Sequence, residues 1–318
     1  MDIVLAETTT AIASDLASRV ATFTEASKAA NTRRAYRAGW AAFVAWCQAR
    51  DLPFLPAPPA VVAAYLADRA GTIKASTLSG HMSGIRHAHV LAGYPTPTKS
   101  AEVSVVMAGV RRTHGIAASK KRAFQTGDLK AVLARLPDDI RGQRDRALLL
   151  VGFCGAFRRS ELVGLDVGDL DFGPDGLRVT IRKSKTDQSK HGRQIGLGHG
   201  MSETTCPVTA VRKWLTAANI ASGPLFRGVD RHGHVQARRL SDRTVARVVK
   251  SAGELVGLDP KVLAGHSLRS GFATSAAAAK IEERTIARTT GHRSLKVLRD
   301  YIQAGTVFDG DVVRRLGL

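Results

Sequence analysis

Acidic residues are scarce in this chain of 318 residues: 27 aspartates and glutamates stand against 47 lysines and arginines, a formal net charge of +20. A chain with that imbalance repels itself unless its usual partner is anionic, and nucleic acid is the commonest such partner. A merely well-solvated basic surface is the plainer alternative. No Lys-rich helix with a bulky apolar face accompanies the charge, which argues against a membrane surface. Cysteine is scarcer still. Cys47, Cys154 and Cys206 are scattered, no pair has metal-ligand spacing, and an odd number does not make a disulfide framework. They read as small buried apolar residues in a reducing compartment. Long apolar runs are also missing: "ALLLVGFCGAF" (147–157) is the longest and falls short of a bilayer span. Near the N-terminus, Asp2 and Glu7 stand where a signal peptide would have a basic stretch followed by an apolar one, so the expected location is cytoplasmic.

What the chain does have is helical periodicity. Residues 8–27 form a weak Ala- and Thr-rich pattern, and "NTRRAYRAGWAAFVAWCQARD" (31–51) a strong one. In the latter, Asn31 or Thr32 can cap, and Tyr36, Trp40, Phe43 and Cys47 fall on one face. Arg33, Arg34 and Arg37 crowd the first turns, against the helix dipole, as if held out for phosphates; ordinary solvation explains them too. Proline-rich "LPFLPAPP" stops this helix, and further helices follow over 60–71, 74–93 and 100–115, each closed by glycine. There is no internal repeat. The polar, weakly periodic residues 116–124 suit a linker between a helical domain over 1–115 and a second domain over 125–318. In the second domain, helices are broken by "GPDGLRVTIRKSKTDQSKHGRQIGLG" (173–198), whose β-branched alternation around Val179, Thr180 and Ile181 predicts a hairpin or small antiparallel sheet. The expected fold is mainly α with that one sheet.

Three stretches hold basic residues that packing alone does not call for. In "GAFRRSELVGL" an apolar helix runs into Arg158 and Arg159, with Glu161 one turn after Arg158. A helix terminus with a pairing glutamate would look the same. Lys185 lies on the hairpin, with Lys183 and Lys190 nearby. His266 and Arg269 then fall on one helical face, followed by His292 and Tyr301. Arginine forks match the non-bridging oxygens of a phosphodiester and stay charged at any working pH. Lysine can protonate a departing alkoxide, histidine can exchange protons near neutrality, and a tyrosine hydroxyl in a cationic pocket becomes a usable nucleophile. The set fits covalent cleavage of a nucleic-acid backbone with neither metal nor cofactor. The other histidines, His191, His199, His232 and His234, stand in Gly-rich loops and give little reason to expect a metal.

"AFRRSEL", the hairpin lysine, "HSLR" and "GHRSLKVLRDYI", with nine residues from His292 to Tyr301, resemble in order and spacing the motifs of the tyrosine recombinase (phage integrase) family. The resemblance runs through the chain: "TRRAYRAGWAAFVAWC" is similar to the opening of a helical core-binding domain, and the two-domain layout is that of Cre- and Xer-type members. It implies Tyr301 as nucleophile, forming a 3′-phosphotyrosyl bond and freeing a 5′-hydroxyl. Arg158, Arg269 and His292 would hold the scissile phosphate, Lys185 would protonate the leaving oxygen, and His266 would assist proton transfer at Tyr301. Glu161 would orient side chains without reacting. Arg158 is preferred to Arg159 because it alone has an acid three residues on. The resemblance further implies double-stranded DNA with inverted-repeat recombination sites as partner and a homotetramer on that DNA, the apolar tail over 303–318 docking on a neighbouring protomer or folding back on its own. Two other readings compete: a type IB topoisomerase-like enzyme, separable by its products, and a non-catalytic DNA-binding regulator, which would not need the full catalytic set.

Overall fold

The computed structural model describes Leu16, Ser18, Arg19, Thr22, Phe23, residues 27–115, 121–182 and 192–291, and Arg299. The chain forms two compact units, Met1–Ser119 and Lys120–Leu318.

The described part of the first unit is helical, with α1 (Ala30–Gln48), α2 (Pro59–Arg69), α3 (Ala75–Leu91) and α4 (Ala101–His114). Helix α1 starts ahead of the expected cap: Ala29 is its N-cap and offers no side-chain hydrogen bond. Asn31 instead accepts from Arg34 Nη2 at 2.8 Å. The expected apolar face is the one that packs, with Phe43 and Cys47 fully buried and Tyr36 and Trp40 partly so. It lies on α3 at close range, since a Cβ at Gly84 would come within 2.6 Å of the Tyr36 carbonyl oxygen. Pro59 opens α2 because its fixed φ suits the first helical position, where no N–H is required. Tyr65 then packs edge-on against Phe43 and Trp46, ring centres 5.2 and 5.3 Å away. The polar atoms of this core are matched. Trp46 Nε1 donates to Asp68 Oδ2 at 2.8 Å. His89, fully buried, accepts from the Ala57 amide at Nε2 (2.9 Å) and donates from Nδ1 to the Ile85 carbonyl (2.8 Å).

The second unit is built round α6 (Ile140–Cys154), the helix that contains most of the longest apolar run and buries every residue from Ala147 to Phe153. Asp139 caps it, accepting from the Gly142 amide at 2.7 Å. Around it lie α5 (Thr126–Leu133), α7 (Arg159–Gly164), α8 (Pro207–Ala217), α9 (Asp242–Glu254), α10 (Ser267–Ala278) and α11 (Glu283–Thr290). The expected sheet is there, as antiparallel β1 (Leu170–Gly173), β2 (Gly176–Ile181) and β3 (Arg193–Gly198) in that order, with Leu170 opposite Val179 and Ile181 opposite Arg193. Leu177, Val179, Ile181, Ile195 and Leu197 alternate onto its buried face. A second hairpin, β4 (Arg227–Val229) with β5 (Val235–Arg239), escapes the sequence reading because its strands are polar and show no alternation of burial. It is tied in by Arg239, which donates to the Val163 and Leu165 carbonyls at 2.6 and 2.9 Å and pairs with Asp166.

The stretch expected as a linker is divided. Residues 116–120 lie outside the described residues, whereas 121–124 are part of the second unit. The Arg122 amide donates to the Val262 carbonyl (2.8 Å), the Phe124 amide to the Ser267 carbonyl (2.9 Å), and the Phe124 ring is fully buried. Helix α10 lies directly against this segment because Gly271 has no side chain: a Cβ there would sit 1.9 Å from the Phe124 carbonyl oxygen. Of the described helices, none is long and apolar enough to cross a membrane.

The contact at Gly271 generates a paired prediction. Gly271→Ala forces a methyl group against the Phe124 backbone, so it should destabilise the second unit by about 1–3 kcal/mol, seen as a fall of roughly 2–4 °C in Tm per kcal/mol. A Cβ at Gly109, inside α4, meets nothing within 4 Å. Gly109→Ala should therefore stabilise by about 0.4–1 kcal/mol. Calorimetric scans of the two variants check both signs.

Candidate active site

Helix α6 does not run into Arg158 as the sequence suggests. It stops at Cys154, and the chain turns through Gly155 and Ala156, the latter at φ +48°, before Arg158 becomes the N-cap of α7. From that position Arg158 meets Glu161 twice. Its backbone amide donates to Oε2 at 3.0 Å and its guanidinium Nη1 to Oε1 at 2.5 Å. The Glu161 side chain is only 1% exposed. A carboxylate that far from water stays charged only when its oxygens are held by donors of this kind. Arg159 goes elsewhere: it is 4.0 Å from Asp242 and its stem fills the space beside Gly265.

Arg269 comes from the first turn of α10 and is almost completely buried. Its Nη1 donates to the Ala156 carbonyl at 2.8 Å, so α10 is hydrogen-bonded to the same turn that presents Arg158. His266 is the N-cap of α10 in right-handed helical conformation, so the helix proper begins at Ser267 and the three-residue offset of His266 from Arg269 is kept. The imidazole is at the surface, yet the protein around it lowers its pKa below the ordinary value, and the charges of Arg269, Arg158 and Arg159 lower it further. Arg158, Glu161, His266 and Arg269 thus converge.

Arg193 is not among the residues expected from the sequence. This residue opens β3, donates from Nη2 to Glu161 Oε2 at 3.4 Å, and reaches the last turn of α11 with Nη1, which lies 2.7 Å from the Thr289 carbonyl and 3.3 Å from that of Arg288. A signal was available. In "RQIGLG" the period-two alternation that buries Ile195 and Leu197 puts Arg193 on the same face, an unusual place for a charge.

The remaining expected residues are not all placed. Lys185, with its neighbours Lys183 and Lys190, and also His292, Tyr301 and the tail over 303–318, lie outside the described residues. Arg299, two residues before Tyr301, is helical and pairs with Glu283 of α11 at 3.2 Å. Arg33, Arg34 and Arg37 are on α1 of the first unit, Arg33 partly buried and the other two exposed. Among the described residues no group of three or more His, Cys, Asp or Glu side chains could hold a metal ion. His234 instead faces Asp230 at 3.1 Å, and His199 faces the Cys206 thiol at 3.9 Å.

Two arginines on one carboxylate and a third on the adjacent turn leave an excess of positive charge whose fork geometry suits a phosphodiester anion. The lowered pKa of His266 also has a consequence for stability. Folding disfavours its protonated form, so the unfolded chain binds the extra proton, and the histidine destabilises as pH falls through the window below about 6.5. A His266→Gln variant should therefore lose less Tm than the parent between pH 7.5 and pH 5. Thermal melts across that range check the sign.

The phage integrase family model matches residues 123–306. An integrase/recombinase XerD homolog of Selenomonas ruminantium is 40% identical over 297 residues, covering 92% of this chain and 87% of its own length. The Cre recombinase of Escherichia phage P1 is 25% identical over 294 residues, covering 86% of this chain and 84% of its own. Among solved structures, the XerH site-specific recombinase in a post-cleavage complex with palindromic difH substrate shares the fold, with a TM-score of 0.58 at 17% identity over 82% of this chain and 71% of that one. The chain belongs to the phage integrase family, the tyrosine site-specific recombinases.

Proposed function

We propose that this chain cleaves and rejoins double-stranded DNA at inverted-repeat sites through a 3′-phosphotyrosyl intermediate, acting as a homotetramer on the DNA. The observation that carries the reading is the convergence of Arg158 and Arg269 on one turn of chain, with Glu161 buried behind Arg158 and His266 beside them. Two guanidiniums fixed in this way can take the non-bridging oxygens of the scissile phosphate and stabilise the added negative charge of its transition state. The Tyr301 oxygen attacks phosphorus, the bond to the 5′-oxygen breaks, and Lys185 delivers a proton to that oxygen. His266, kept neutral near pH 7, accepts the proton that Tyr301 loses. His292 adds a donor to the phosphate. One phosphodiester is exchanged for another, so a free 5′-hydroxyl reverses the step without ATP. Arg158, Arg269, His292 and Lys185 supply the positive charge that a divalent ion supplies elsewhere. Arg33, Arg34 and Arg37, together with the general basic excess, serve duplex binding.

Tyr301→Phe removes one oxygen, so DNA binding should persist while covalent protein–DNA adducts, resolved by denaturing electrophoresis, disappear; cleavage at the parental rate would overturn the reading. The leaving group gives an independent check. Lys185→Ala should be severely slow on ordinary DNA and close to normal on a substrate with sulfur at the 5′-bridging position, because a thiolate departs without a proton. Equal defects on both substrates would move the proton donor to Lys183, Lys190 or a histidine.

A further inference from the structure

Arg193 is a costly residue to bury. Its side chain is 21% exposed, and its Nε is buried without a hydrogen-bond partner. Burial lowers its pKa from the usual arginine range; Glu161 opposes that shift and the nearby charge of Arg158 adds to it. An arginine placed only for stability would be better paired, since apolar side chains of similar size often replace buried ion pairs without loss. Its contacts are the informative part. Nη2 reaches the one oxygen of Glu161 that also takes the Arg158 amide. Nη1 reaches the Arg288 and Thr289 carbonyls, at the end of the helix that Gly291 terminates in left-handed conformation immediately before His292. One planar group thus bridges the carboxylate that holds the first phosphate-gripping arginine and the backbone that leads into the phosphate-binding histidine.

We infer that Arg193 is a positioning residue for the phosphate clamp, fixing Glu161, and through it Arg158, in register with the end of α11. It touches no reacting atom. Its effect is on geometry: without the bridge, Glu161 can rotate with Arg158 and the last turn of α11 is free to shift, so the donors no longer meet the transition-state oxygens together. A lysine cannot replace it fully, because a single ammonium has no fork with which to span a carboxylate and two carbonyls. The inference rests on the assignment of Arg158 and His292 to the phosphate.

The test uses the full chain and a nicked suicide substrate that traps the covalent adduct, with single-turnover rates at saturating protein. Arg193→Met keeps the stem and removes the charge. Its cleavage rate should fall about 10- to 100-fold, the range usual when a group that orients an active-site side chain is lost, while the DNA dissociation constant and Tm stay close to the parent's. Arg193→Lys should fall between the two. The defect should persist on the 5′-bridging sulfur substrate, because the clamp and not the leaving group is impaired. A Met variant within threefold of the parental rate overturns the inference. So does a rate loss matched by an equal loss of affinity or folded protein, or a defect that vanishes on the sulfur substrate, which would place Arg193's action at the Lys185 hairpin. Failure of the underlying reading shows up separately, as a parent protein that forms no adduct or as Tyr301→Phe retaining one.

Discussion

Glu161 is a carboxylate with 1% of its side chain exposed, and the geometry of the candidate site is organised round its need for partners. A charge so removed from water costs several kcal/mol unless donors surround it, and losing the Arg158 guanidinium, the closer of its two arginines, would typically cost about 3–5 kcal/mol. The Arg158 amide and guanidinium hold it at 3.0 and 2.5 Å, and Arg193 adds a longer contact at 3.4 Å. Each requirement propagates outward. Arg158 can reach only because α6 stops at Cys154 and the chain turns at Ala156. Arg193 can reach only because β3 pairs with β2 in a register that sets it opposite Ile181. Arg269 then ties α10 to the same turn, and Gly271, two residues on, lets that helix press on the Phe124 segment. The packing of the second unit and the placement of the arginines are the same set of contacts.

Local patterns were legible in the sequence wherever their physical cause is local. The Arg158–Glu161 pair spans three residues and shares a helix start, so spacing alone pointed to it. The same holds for His266 with Arg269, for the apolar faces of α1 and α6, and for the alternation of β2 and β3. What could not be read depends on contacts between distant segments. Arg193 lies 32 residues from Glu161 and 96 from Thr289, and only its place on the apolar face of a strand hinted at burial. Residues 121–124 have the composition of a linker yet are hydrogen-bonded to Val262 and Ser267, partners that no local pattern reveals. The β4–β5 hairpin is polar along its length and held by the Arg239 contacts to the main chain of α7 and its exit. The start of α1 was misplaced for the opposite reason: a good capping residue was present and the helix began without using it.

The electrostatics of the site follow one logic. Helix N-termini repel cations and attract anions, yet α10 has His266 at its N-cap and carries Arg269 in its first turn. Those positions are unfavourable for the protein by itself and become favourable when an anion arrives, since the helix dipole and the guanidiniums then act in the same direction. The depressed basicity of His266 comes first from the protein that surrounds it, and the same crowding of positive charge adds to it. The net charge of +20 extends the argument to the whole chain, which stores repulsion that a polyanion relieves.

The pairing of Ile181 with Arg193 leaves the eleven residues 182–192 between the two strand ends, Lys185 among them. Because both ends of that span are anchored by the sheet and by Glu161, its closure is already secured, and doubling a closed loop's length adds only about 0.6 kcal/mol. Insertions and deletions in the span are therefore nearly invisible to folding. The sheet thus tolerates a change of length in this span far better than a change at Ile181 or Arg193, whose pairing fixes its register.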